Sequence, residues 1–303
     1  MTRSAIVIPV FKGMPQLADC LASLSWVARV PDVDAVLVDC GSEDGSRAFV
    51  AEEYPWVLTV EGDPSMWWSA ATNRGCRWAV DELGADTLCL LNHDCRWPEQ
   101  AFRALLGALE GSPTAIHCSR VCLTDGRLLF AGGYVARSGR LMIRGYYASA
   151  DPGFSAGRVD WAGGQGVMFP AALWRRLGGF DERALPHYHA DADFSLRARS
   201  MGAPTLYHPE STVVNDNSST GLGVPRDGAS LRDIYVTLVS RKSSANVRDA
   251  VRFYVRHAGW RVPSALAHLY GVHLGSSLVR VLRSVRQRVR VFERQWTNRA
   301  KQE

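Results

Sequence analysis

Two carboxylates and two histidines crowd the segment His187-Tyr188-His189-Ala190-Asp191-Ala192-Asp193-Phe194. A carboxylate placed there can take a proton from a hydroxyl, the work of a general base. It can equally cap free backbone N–H groups at a helix start and complement the helix dipole. Upstream, Asp39 and Asp94 each end an apolar run, in Val38-Asp39-Cys40-Gly41-Ser42 and Leu90-Leu91-Asn92-His93-Asp94. Asp39 can accept hydrogen bonds from a nucleoside or cap a βα turn. Asp94 suits a hard divalent ion bridging phosphate oxygens. Trp67 and Trp68 precede a small-residue helix start, where aromatic faces meet sugar rings or bases, or simply bury in a core. No GxGxxG follows the first apolar run, which separates the chain from dinucleotide-binding folds.

The elements that would hold these residues alternate. Ala5 to Val10, Ala35 to Asp39, Val57 to Val60, Thr87 to Leu91 and Ala115 to Cys118 read as strands. Met14 to Val30, Ser69 to Leu83 and Pro98 to Leu109 read as helices, with a turn at residues 40–46 opening another. Such alternation predicts a parallel, doubly wound α/β sheet, with ligands beyond the carboxyl ends of the strands. Asp39 and Asp94 both fall on that edge. Arg127 to Tyr147 breaks the pattern as a hairpin or loop. Trp161 to Phe169 reads as a Gly-rich strand, followed by a short helix from Ala171 to Leu177. The segment carrying Asp191 reads as an amphipathic helix, with Phe194, Ala198 and Met201 on one face and Arg197 and Arg199 elsewhere. Strands are expected near Thr205–His208 and Thr212–Asn215, and helices from about Ala229 onward. A boundary near residue 225 would give a domain over 1–225 and a helical region over 226–303.

Composition narrows the class. The chain has 303 residues, 47% hydrophobic and 21% charged, as in an ordinary globular protein. Seven scattered cysteines without a CxxC pair argue against a disulfide framework or structural zinc and suit a reducing cytosol. The start, Met1-Thr2-Arg3-Ser4, is unlike a secretory signal, and no window reaches the length of a membrane span. Of the net charge of +5, the stretch 276–303 supplies eight Lys/Arg against two Glu, leaving −1 for the rest. A neutral body argues against nucleic-acid binding.

Seven motifs in order resemble the family 2 glycosyltransferases, near the bacterial rhamnosyltransferase-like branch. They are Ile6-Val7-Ile8-Pro9-Val10-Phe11, the 38–46 and 67–75 runs, Leu90 to Asp94, Gly163 to Pro170, Gly178-Gly179-Phe180-Asp181-Glu182 and His187 to Phe194. The resemblance spans roughly residues 4–220. It implies a GT-A fold (Rossmann-like, mostly parallel, helices on both faces) with a C-terminal helical extension. It also implies an inverting hexosyl transfer from a nucleotide sugar to a hydroxyl of a saccharide or lipid-linked saccharide, in bacterial surface glycan synthesis, with Mg2+ or Mn2+ as cofactor. By position, Asp191 would be the base, Asp39 would hold the nucleoside and Asp94 the metal–diphosphate. Pro9, Phe11, Ser42, Trp68, Asn73, Asn92 and His93 would lie on the donor side. Trp161, Gly164, His187, His189 and Asp193 would lie on the acceptor side, Asp193 ordering the site or the helix start.

Three departures from the family pattern matter. Phe11-Lys12 replaces a Tyr-Asn pair, Asn92 opens the acidic motif, and Asn215 stands where relatives carry a metal-binding His, with His208 as the alternative. The 276–303 stretch, with Leu278, Leu282, Val285, Val289, Phe292 and Trp296 at spacings of four and three, reads as a basic amphipathic helix. It suits an anionic membrane at the inner face of the cytoplasmic membrane, the domain's own surface, or a second copy. Other readings of the whole are a nucleotidyltransferase, for which Phe11-Lys12-Gly13-Met14-Pro15 is a poor triphosphate loop, and a non-catalytic nucleotide-sugar binder.

Overall fold

The structure is a computed structural model and describes residues 3–146, 153–219 and 231–273, with 275 and 279 besides. It divides into one unit of Met1–Ala136 with Leu141–Ser218, and another of Arg137–Arg140 with Ser219–Glu303.

The first unit begins with strand β1 (Ser4–Val10), helix α1 (Gln16–Ser23) and a 3-10 turn at Ser25–Arg29. Then come β2 (Val33–Asp39), α2 (Ser46–Glu53), β3 (Leu58–Glu61) and α3 (Trp68–Glu82). Next are β4 (Thr87–Leu90), β5 (Cys95–Arg96), α4 (Glu99–Gly111) and β6 (Ile116–Leu123). The segment read as hairpin or loop holds β7 (Leu128–Phe130), β8 (Gly133–Val135) and β9 (Leu141–Ile143), the last two forming a separate two-stranded sheet. The unit closes with β10 (Gly157–Val159), β11 (Val167–Pro170), α5 (Ala171–Leu177), α6 (Ala190–Ser200) and β12 (Thr205–Asn215).

The main sheet runs β10-β12-β6-β11-β4-β1-β2-β3, with β5 added to β12 and β7 to β6. β1 is parallel to both β2 and β4, and β2 to β3, as the alternation predicts. β1 is buried at every position, and β2 at all but Asp34, so both sheet faces are covered there. Helix α3 crosses this part so closely that a Cβ on Gly75 would lie 2.5 Å from Val7 Cγ1 and 2.7 Å from Val38 Cγ2.

Beyond β4 the sheet is mixed: β12 runs parallel to β6, while β5, β7, β10 and β11 pair antiparallel, and β11 is the one that shapes the site. It lies antiparallel between β4 and β6, with Val167 opposite both Leu90 and Cys118. Its amino end therefore meets the carboxyl end of β4, and Gly166 N donates to Leu90 O at 2.9 Å. The Gly163–Gly166 loop is thereby delivered to the edge where a parallel sheet binds ligands.

Five local readings change. The helix read over Met14 to Val30 ends at Ser23, and a separate 3-10 turn follows from Ser25 to Arg29. The Gly-rich strand shrinks to Val167–Pro170, and Trp161 makes only an isolated bridge to Gly133. The two strands expected after α6 are one, β12, with an irregularity between His208 and Thr212. α6 is buried on nearly every side through Ala198, so it is no simple amphipathic helix. Met201, assigned to its apolar face, is 49% exposed.

The second unit contains α7 (Leu231–Val239), α8 (Val247–His257), a 3-10 turn at Gly259–Arg261 and helix over 262–273. Asn246 caps α8, its side chain accepting from Asp249 N. The basic stretch 276–303 lies outside the described residues.

Candidate active site

Three loops at the carboxyl ends of β1, β2 and β4 are knitted together. Asp39, buried at the end of β2, accepts from Ser42 N at 3.0 Å, and Ser42 Oγ accepts from Lys12 N at 3.0 Å. Met14 N donates to Asp44 Oδ2 at 3.1 Å. Gly13 sits against the His93 ring, where a Cβ would fall 2.8 Å from Cδ2. The loop after β1 thus touches both the Asp39 turn and the Asn92-His93-Asp94 turn. Pro9 is buried within β1 opposite Val38, while Phe11 just beyond it is 46% exposed.

From Asn92 the contacts continue toward Asp191. Trp68 Nε1 donates to Asn92 Oδ1 at 2.9 Å, and its ring lies so close to Gly164 that a Cβ there would be 2.4 Å from Cζ2. Only glycine leaves room for the indole. The next link is electrostatic and polar: the Gly164 backbone N–H bonds the Asp191 carboxylate, and Ala192 N donates to its Oδ1 at 2.8 Å. Asp39 and Asp191 are joined by one unbroken chain of neighbours along the same edge.

Asp191 opens α6 just after His189, whose backbone takes the left-handed conformation at φ 68°. That conformation is unusual for a residue other than glycine and turns the chain sharply into the helix. As a whole residue Asp191 is half-buried. Yet the protein packed around it strips away enough water to push its carboxyl up to about 6, against the lowering pull of the Ala192 and Gly164 N–H groups. Tyr188 stands close enough for the Asp191 charge, after burial itself, to raise its phenol. His187 packs beside Trp67, ring centroids 5.6 Å apart.

Asp193 behaves differently. It is fully buried, and Arg197 Nε donates to its Oδ2 at 2.7 Å. The same guanidinium donates from Nη1 to Leu177 O and from Nη2 to Gly179 O, both at 2.8 Å. Asp193 therefore orders the helix start and the Gly178-Gly179 turn and does not face an acceptor.

Asn73 is likewise taken up internally. Its Nδ2 donates to Phe180 O and Glu182 Oε2, and its Oδ1 accepts from Phe180 N. Being buried and committed at both ends, it positions the 178–182 turn and leaves nothing for a donor. Trp161 is also withdrawn: 7% exposed, its ring packs on Gly133 and Phe130.

Asp94 is buried, and Cys95 Sγ approaches its Oδ1 at 3.4 Å. Asn215, at the end of β12, pairs with Cys95 in the β5 ladder and directs Nδ2 to Cys95 Sγ at 3.3 Å. Asp216 N donates to Asp94 O at 2.8 Å, fixing this corner. His208 does not join it. Its ring bonds His117 Nδ1 and Glu210 Oε1, each at 3.0 Å. It stands opposite Ser119 while Asn215 stands opposite Leu123, four register steps or about 13 Å away. Of the two residues considered beside Asp94, the structure brings only Asn215. Among the described residues no group of three or more His, Cys, Asp or Glu could hold a metal ion.

The profile of the glycosyltransferase-like family 2 matches residues 2–227. The chain belongs to that family. No curated protein matches the sequence. Among solved structures, this family 2 chain resembles GalNAc-T7 crystallised with UDP, GalNAc and Mn2+, at TM-score 0.59 and 14% identity, over 89% of this chain and 58% of that one. It also resembles the mannosyltransferase PcManGT from Pyrobaculum calidifontis, solved with GDP-Man and Mn2+, at TM-score 0.52 and 20% identity, over 98% and 83%. A third is a segment of S. aureus TarS with UDP, at TM-score 0.50 and 12% identity, over 71% and 61%. The chain thus spans little more than half of the first and third. At these identities the likeness is one of fold, and that fold is GT-A.

The family 2 motifs did not by themselves reveal Tyr188, Phe180 or Arg197. Tyr188 lay between two histidines that drew the chemistry. Phe180 joins Trp68 edge-on at 5.2 Å and stacks on Phe194 at 4.6 Å, contacts invisible in one dimension. Arg197 did carry a signal, since an acid and a base four apart on a helix are neighbours.

Proposed function

We propose that this chain is an inverting glycosyltransferase that moves a hexosyl residue from a nucleotide sugar to a hydroxyl of a saccharide or lipid-linked saccharide, in bacterial surface glycan synthesis. One observation carries the proposal. A carboxylate tuned to about 6 stands at the head of a buried helix, on the same sheet edge as the Asp39 and Asp94 turns.

The chemistry follows from that placement. Asp191 accepts the proton of the acceptor hydroxyl as its oxygen bonds the anomeric carbon. The bond from that carbon to the diphosphate oxygen breaks from the opposite side, and the nucleoside diphosphate leaves with the electron pair. A pKa near 6 leaves the carboxylate ionised at neutral pH yet basic enough to share a proton. Asp39 and the Ser42 turn hold the nucleoside, and Phe11 offers an exposed ring beside them. Trp68, fixed by Asn92 and Gly164, walls the reacting centre and excludes water from it.

Asp94 and Asn215 fit a divalent ion in one manner only. A single buried carboxylate with a neighbouring amide matches the way Mg2+ or Mn2+ is held largely by substrate phosphates and water. When bound, such an ion would supply positive charge to the leaving diphosphate. Supporting this, two of the fold relatives were solved with Mn2+.

Thermal melting with UDP, dTDP and GDP sugars, with and without Mn2+, tests donor and ion together. At 100 times the dissociation constant, a matching pair should add about 2.7 kcal/mol of stability. Asp94→Asn should lose the Mn2+-dependent part and keep a smaller metal-independent shift. An identical Mn2+-dependent shift in that variant would remove Asp94 from the ion's shell.

A further inference from the structure

We propose that the second unit carries a docking face for anionic lipid, centred on Trp260. The inference rests on residues that the glycosyltransferase reading does not use. Helix α8 buries Ala250, Phe253 and Tyr254. Its other side presents Arg248, Arg252, Val255 and Arg256, at offsets of zero, four, seven and eight, which share one helix face. The 3-10 turn that follows holds Trp260 out into solvent at 89% exposure, beside Arg261, while Val255 is 61% exposed.

An indole standing almost wholly in water, in the turn that follows an arginine-bearing helix and next to Arg261 in sequence, has the chemistry of an interfacial anchor. Trp favours the headgroup level, where its apolar body leaves water and its N–H stays wet. Arg stems lie along apolar surface while their heads meet phosphates. The described helical stretch 231–273 carries seven Lys/Arg against two Asp, a net +5 matched to an anionic surface. A second copy of this chain fits less well, because a two-fold contact on this face would set the arginine row against itself.

The test uses the full chain with phosphatidylcholine vesicles, with and without phosphatidylglycerol, some carrying brominated acyl chains. The protein should sediment with the anionic vesicles, and bromolipid should quench a component of its emission. Trp260→Ala should remove that component. Arg248→Gln with Arg256→Gln should weaken binding about 30-fold at low salt, measured at a temperature where melting shows that variant folded. Equal quenching in Trp260→Ala would overturn the proposal, since another segment would then be the one inserted. So would binding indifferent to lipid charge, a dimer dissolved by Trp260→Ala, or loss of vesicle binding to competing single-stranded nucleic acid.

Discussion

Replacing Asp191 by Asn should cut sugar transfer by about 10²–10⁴-fold and yet make the folded chain more stable at pH 7. The amide cannot accept the acceptor's proton, which accounts for the first effect. The second follows from linkage. Burial lifts the folded carboxyl to about 6, whereas an unfolded Asp titrates near about 3.9. Between those values the native state holds the proton that the unfolded chain has lost. Stability from this group is therefore greatest below about pH 4 and falls as pH rises through 6. At pH 7 the ionised carboxylate costs up to roughly 3 kcal/mol, which the neutral amide avoids. Melting of both forms at pH 7 and pH 4 checks this, because the advantage of Asp191→Asn should shrink toward zero at the lower pH. A group held for chemistry at the expense of stability behaves in this way.

Two residues further along, the sign reverses. Arg197→Ala should destabilise the chain by about 3–5 kcal/mol, since it strands the fully buried Asp193 carboxylate without its cation. It also removes the donors held by Leu177 O and Gly179 O, so the 178–182 turn, which Asn73 also holds, loses part of its support. Arg199 is the control. It pairs with Asp160 on the surface, and Arg199→Ala should cost less than about 1 kcal/mol. Equal melting temperatures for the two variants would show that the buried pair does not hold the helix start.

The opposite behaviour of Asp191 and Asp193 shows how far a sequence can be read here. The strands before Asp39 and Asp94 were legible because both are short and largely apolar, buried throughout in β4 and at every position but Asp34 in β2, and their polar ends had one edge to occupy. The helix carrying Asp191 was legible as a helix. Its environment was not: Phe194, Ala198 and Met201 share a face by spacing, but the turns packed around α6 bury Asp193 and leave Met201 in water. Strand direction was hidden as well. Nothing in Val167 to Pro170 distinguishes a parallel from an antiparallel neighbour, yet that choice alone brings Gly164 to Trp68 and Asp191. Asn73 is assigned to the donor side by its position in the family resemblance alone. Its bonds to both backbone groups of Phe180 come from a segment more than a hundred residues away. The interruption in β12 misled for a local reason, since Pro209-Glu210-Ser211 breaks the pattern of a strand that resumes pairing with β6 at Thr212.

The most direct test is the pH dependence of kcat/KM for transfer, with donor and metal held constant. The desolvated carboxylate at position 191 should make the rate climb tenfold per pH unit below an apparent pKa near 6 and level off above it. A rate that stays flat from about pH 5 to 8, with full turnover retained by Asp191→Asn, would contradict the assignment of the proton acceptor.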